Sequence, residues 1–103
     1  METWKSVERA LASRLGGVRN PISGRQRGDK ADIEHPTLSL EIKHRKKLPD
    51  WIWDALDQAE KSKKNGQTPV VILHENKKHH DNDVVVLKFS DFILFLGLNE
   101  DKD

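Results

Sequence analysis

The chain has 103 residues, 35% of them hydrophobic and 34% charged, with a formal net charge of +1. That length supports one domain with a modest core, and every apolar stretch falls well short of the roughly 20 residues a membrane span needs. Cysteine is absent, which excludes disulfides, cysteine zinc sites and thiol catalysis and fits an intracellular, cytoplasmic protein.

Met1 to Glu8 is polar and mixed in charge, unlike a secretory leader. Thr3 to Leu15 reads as an amphipathic helix, with Trp4, Val7, Leu11 and Leu15 on one face and Gly16-Gly17 at its end. Glu8 falls on or beside that apolar stripe. An acid there is either a boundary residue whose head reaches water or a group directed over a neighbouring sheet. Residues 18 to 30 form a loop rich in Gly, Pro, Ser and Arg, with a short strand near Gly17 to Arg19. Ala31 to Glu34 reads as a strand and His35-Pro36-Thr37 as a turn. Leu38 to Lys43 alternates strictly, with Leu38, Leu40 and Ile42 on one face and Ser39, Glu41 and Lys43 on the other, the period of a half-buried strand.

After a basic turn, Asp50 is the expected N-cap of a second helix with Ile52, Ala55, Leu56 and Ala59 on its apolar face, Gln58 at its edge and Gly66 as its stop. Pro69 to Leu73 is a nearly continuous apolar run, as in a strand covered on both faces. Asn76 to Asp83 is a polar turn. Its run His79-His80-Asp81-Asn82-Asp83 is read as a solvated hairpin turn rather than a metal site, because no ligand spacing from a rigid element accompanies it. Val84 to Phe89 is a further strand, and Ser90 caps an apolar last helix from Asp91 to Leu96. The expectation is an α/β protein: one domain over residues 1–98, with a mixed sheet flanked by helices, and an acidic tail at 99–103.

Charge is distributed unevenly. Residues 19 to 47 hold eight basic side chains against four acidic ones, a local +4, which leaves −3 on the remainder. A basic segment on a nearly neutral chain is the footprint of phosphate binding, although charge runs also serve as plain solvated surface. Arg19, Ser23, Arg25, Arg27 and Lys30 lead into Asp32, and Arg45, Lys46 and Lys47 follow Lys43. Side chains of these kinds grip phosphates without reading sequence. Gln58 is either an ordinary boundary residue or an auxiliary hydrogen-bond partner of a site carboxylate.

Glu41 and Lys43 project from one face of their strand. With an even-numbered turn such as Glu34 to Thr37, Ile33 pairs with Leu38 and Asp32 stands on the face of Glu41, a diagonal neighbour roughly 7–8 Å away. Two carboxylates beside a lysine suit Mg2+, with Mn2+ as a substitute. Such an ion polarises a phosphodiester and acidifies a bound water, and a lysine orients that water or stabilises developing charge.

Glu8, then Asp32 in Asp-Lys-Ala-Asp-Ile, then Glu41-Ile-Lys43 after an apolar strand, resembles the PD-(D/E)XK nuclease superfamily. Within it, the pattern is most similar to small Holliday-junction resolvases of archaeal and phage type. The resemblance covers roughly residues 4 to 73, with Ala31 where that family's motif has proline. It implies a restriction-endonuclease-like αβββαβ core, magnesium-dependent hydrolysis of DNA phosphodiesters and a homodimer. By that likeness Asp32 and Glu41 are metal ligands, Lys43 is the catalytic lysine and Glu8 an auxiliary acid and ligand. The expected partner is DNA, including branched DNA, with neither a membrane nor a small-molecule cofactor. A nicking, flap or general DNA nuclease and a noncatalytic nucleic-acid-binding module are the rival readings.

Overall fold

The computed structural model describes residues 3–20 and 32–98. The chain divides into two compact units, Met1–Lys46 with Leu98–Asp103, and Lys47–Gly97. Within the described residues the architecture is α/β: three α-helices and two small antiparallel sheets.

The first unit starts with helix α1, Trp4–Leu15. Thr3 is its N-cap rather than its first residue: Ser6 N donates to Thr3 Oγ1 at 3.2 Å and Thr3 N donates to Ser6 Oγ at 3.0 Å, a reciprocal capping box. Gly16 ends the helix in the left-handed conformation, φ 76°, which glycine adopts without a Cβ clash. Gly17 is required for another reason. A Cβ there would lie 2.6 Å from the Glu34 carbonyl oxygen and 2.8 Å from Ile33 Cγ2, so only a bare backbone lets the chain pass this close to its neighbour.

Strand β1, Val18–Arg19, follows and pairs antiparallel with β2, Ile33–Glu34, setting Val18 against Glu34 and Arg19 against Ile33. Among the described residues of this unit, Ala12, Leu15 and Ile33 are the buried apolar side chains. The His35 ring ties α1 to the following turn. Its Nε2 lies 2.9 Å from the Leu15 carbonyl oxygen, and its Nδ1 accepts the N–H groups of Thr37 and Leu38, each at 3.2 Å. With Nδ1 accepting, the proton sits on Nε2 and is donated to Leu15 O.

The single mixed sheet expected from the sequence is not formed among the described residues; β1–β2 and a second pair stand as separate two-stranded sheets. The segment expected as a strand over Leu38 to Lys43 contributes an isolated bridge, Leu40 against Ile33. The cause lies in its donors. Thr37 and Leu38 give their N–H groups to the His35 ring, and Ile42 gives its N–H to the Asp32 carboxylate. Side chains have replaced ladder carbonyls as acceptors, so the ladder does not propagate.

The second unit contains helix α2, Asp50–Ser62. Its N-cap is Pro49, without a side-chain cap, and Asp50 is its first residue. An acid in the first turn suits the helix dipole, and Lys47 Nζ lies 3.3 Å from Asp50 Oδ1. The helix ends at Ser62, before Gly66. Strands β3, Val71–Leu73, and β4, Val84–Val86, pair antiparallel in the register Val71–Val86, Ile72–Val85, Leu73–Val84. A 3-10 turn, His80–Asn82, lies in their connection. Helix α3, Phe89–Phe95, includes Ser90 rather than being capped by it. Leu56 and Ile93 are buried here. The expectation that β3 is covered on both faces is not met: Ile72 is 62% exposed, because β3–β4 is a two-stranded hairpin with an outward face. No described helix is long and apolar enough to cross a membrane.

Candidate functional site

Asp32 is the buried centre of the first unit's polar cluster, 6% exposed. Its N–H donates to Leu40 O and its carbonyl accepts from Asn20 N–H, each at 2.9 Å. Its carboxylate accepts the Ile42 N–H. The residue therefore bridges the end of β1 to the segment carrying the Glu-x-Lys motif. Asn20, 2% exposed, is part of this arrangement. Sequence reading placed it in a loop, and no periodic signal marks it.

The connection between the paired residues Ile33 and Leu40 runs from 34 to 39, an even number. Expected pairing with Leu38 is thus displaced by two residues, a shift that keeps side-chain parity. Asp32 N–H donates to Leu40 O and the Asp32 carboxylate accepts from Ile42 N–H, so Asp32 is bonded to the residues on either side of Glu41. Glu41 Oε2 and Lys43 Nζ lie 3.3 Å apart, and the two side chains are 61% and 65% exposed. Their ion pair sets Glu41 and Lys43 side by side. A pair this exposed contributes little to stability.

Glu8 is buried and does not reach water as a boundary residue would. Its Oε1 accepts from Arg19 Nε at 2.8 Å, and the Arg19 guanidinium carbon lies 5.4 Å from the Trp4 ring centroid. Arg19, expected on the phosphate track, is thus held by a carboxylate and lies over an indole face. Glu8, Asp32 and Glu41 do not form one tight ligand cluster. Among the described residues, the group of three His, Asp or Glu ligand atoms within 4.8 Å of one another is His74, His80 and Asp83.

Arg45, Lys46 and Lys47 are exposed, as is Gln58 on α2. Lys47 is paired with Asp50. Ser23, Arg25, Arg27 and Lys30 lie outside the described residues.

The His74–His80–Asp83 group was not anticipated as a cluster. The signal for it was the hairpin register: with Leu73 opposite Val84, the next residues outward are His74 and Asp83. Comparison with family models, curated proteins and solved structures gives no match.

The donors at Asp32 and Glu41 are hard oxygens, the chemistry that magnesium selects, and an exposed glutamate leaves room for the waters that this ion retains. Glu8 fits less well, since one of its oxygens is engaged by Arg19 in a buried pair.

Proposed function

We propose that this chain is a magnesium-dependent DNA endonuclease resembling the small Holliday-junction resolvases. The reading is supported by one observation: buried Asp32 accepts the N–H of Ile42, the residue between Glu41 and Lys43. In this proposal Asp32 and Glu41 hold Mg2+, with Mn2+ as a substitute, and the ion supplies an acidified water and a counter-charge for the leaving oxygen. Lys43, held near the site by Glu41, orients the nucleophile and offers positive charge to the scissile phosphate. Arg45, Lys46 and Lys47 extend a basic track for DNA, joined by Ser23, Arg25, Arg27 and Lys30. Glu8 acts through Arg19, keeping α1 and β1 together. A homodimer suits this reading, since resolving a junction needs paired cuts; Leu94 and Phe95 on α3, 67% and 66% exposed, are the apolar surface offered for it. A restriction-endonuclease-like core remains part of the same proposal.

A second reading, a noncatalytic nucleic-acid-binding module, is favoured by the ion pairs. Glu8–Arg19 and Glu41–Lys43 give two of the acids structural partners without any metal. Cleavage of a labelled four-way junction, compared with linear duplex and flap substrates in Mg2+ or Mn2+, separates the readings. The nuclease proposal expects cleavage by the wild type, abolished in Glu41→Gln and Asp32→Asn while DNA binding persists. Duplex or flap cleavage without junction preference changes the substrate to a nicking or general nuclease. DNA binding without cleavage under either ion establishes the binding module.

A further inference from the structure

We infer that His74, His80 and Asp83 form a binding site for a transition-metal dication of the zinc type. It is separate in chemistry from the carboxylate pair above and does not rest on the nuclease reading. The three residues lie in the connection between β3 and β4. His74 and Asp83 are the next residues outward from the Leu73–Val84 pair that ends the β3–β4 ladder, joined by their side chains. The 3-10 turn returns His80 to them, closed by Asn82 N–H to His79 O and Asp83 N–H to His80 O, both 2.9 Å.

Asp83 stands between the two imidazoles. Its Oδ1 is 2.7 Å from His74 Nδ1 and its Oδ2 is 3.2 Å from His80 Nδ1. The two rings lie 4.5 Å apart by centroid. A ligand atom from each residue falls within 4.8 Å of the others, so all three can approach one ion with small rotations. Asp83 is the most shielded member, at 16% exposure, while His74 and His80 are 38% and 80% exposed. The carboxylate is therefore the anchor, and the imidazoles are ligands open to solvent.

The donor set decides the metal. Two imidazoles and one carboxylate suit Zn2+ and its neighbours, whereas Mg2+ prefers oxygen and dehydrates reluctantly. Three protein ligands leave a fourth position to water. The adjoining surface depression is lined by Leu73, His74, Glu75, Lys78, Asn82 and Val84, and the one cation in it, Lys78, is countered by Glu75 at 3.7 Å. Binding would clip the open ends of β3 and β4 together across the turn. His79, beside the cluster in sequence, instead caps the 3-10 turn by accepting from Asp81 N–H, so it serves as an internal control.

The test is titration of the full chain with Zn2+ by calorimetry, and with Co2+ by visible absorption. The expected result is one ion per chain with micromolar or tighter affinity, and a cobalt spectrum of low coordination number. His74→Ala, His80→Ala and Asp83→Ala should each weaken Zn2+ binding at least tenfold, His79→Ala less than threefold, and Mg2+ in excess should not compete. Circular dichroism checks folding; because His80 is largely exposed, His80→Ala remains interpretable if Asp83→Ala unfolds. Absence of saturable binding below millimolar Zn2+ overturns the inference, as does equal weakening by His79→Ala.

Discussion

Glu8 is the residue on which a structural and a metal-ligating role diverge most, and a double-mutant cycle with Arg19 tells them apart. Both side chains are largely withdrawn from water, at 6% and 14% exposure, and joined at 2.8 Å. Removing one partner of a buried ion pair leaves the other charge uncompensated, at a cost of about 3–5 kcal/mol. Arg19 retains some solvent and lies over the Trp4 ring, so the lower end, about 3 kcal/mol, is expected for Glu8→Leu. That is a large fraction of the total stability of about 5–15 kcal/mol typical of a domain. Replacing both partners by apolar residues, Glu8→Leu with Arg19→Met, should return much of the loss, giving a coupling energy of about 2 kcal/mol. Urea unfolding of the four proteins, with and without millimolar magnesium, measures this. Single effects that add to within about 0.5 kcal/mol would refute the pairing argument. Magnesium stabilising the wild type but not Glu8→Gln would instead make Glu8 a ligand.

Three further outcomes follow from packing. Gly17→Ala should destabilise by about 1–3 kcal/mol, since its Cβ meets the Glu34 carbonyl oxygen at 2.6 Å and the backbone must move; an unchanged urea midpoint would contradict the close approach. Lys77 has φ 70°, a left-handed conformation costing a non-glycine residue about 1–2 kcal/mol. Lys77→Gly should therefore raise the melting temperature, and a fall would mean that glycine's greater freedom in the unfolded chain outweighs the relief. Ile93→Ala, at a side chain 1% exposed, should cost about 2–5 kcal/mol in the same unfolding assay, and a loss below about 1 kcal/mol would show that the surrounding apolar residues close the cavity.

The helices were the most legible elements. In α1 the apolar spacing and Gly16 identify both body and end, and in α2 the run from Ile52 to Ala59 identifies a face. Their caps were less so: Asp50 and Ser90 carry good capping side chains, yet both lie inside their helices. The strands were legible as short segments but not as a sheet. Period two gives the faces of Leu38 to Lys43, while the number of residues in the preceding turn decides which partner each meets. In this turn the His35 ring accepts two backbone N–H groups, and the bridge falls at Leu40 rather than Leu38. The Glu8–Arg19 pair required knowing how β1 lies against α1, a long-range fact that local periodicity does not carry. His74 and Asp83 are nine residues apart in sequence, and only the hairpin register joins them.

One imidazole couples two pieces of the first unit. His35 gives its proton to a carbonyl in the final turn of α1 while receiving the amides of Thr37 and Leu38. Loosening of the helix end and opening of the bend therefore share a latch, and neither should occur alone. In a native-state deuterium experiment the amides of Thr37 and Leu38 should lose protection at the same denaturant concentration as Leu15, marking one cooperative opening unit.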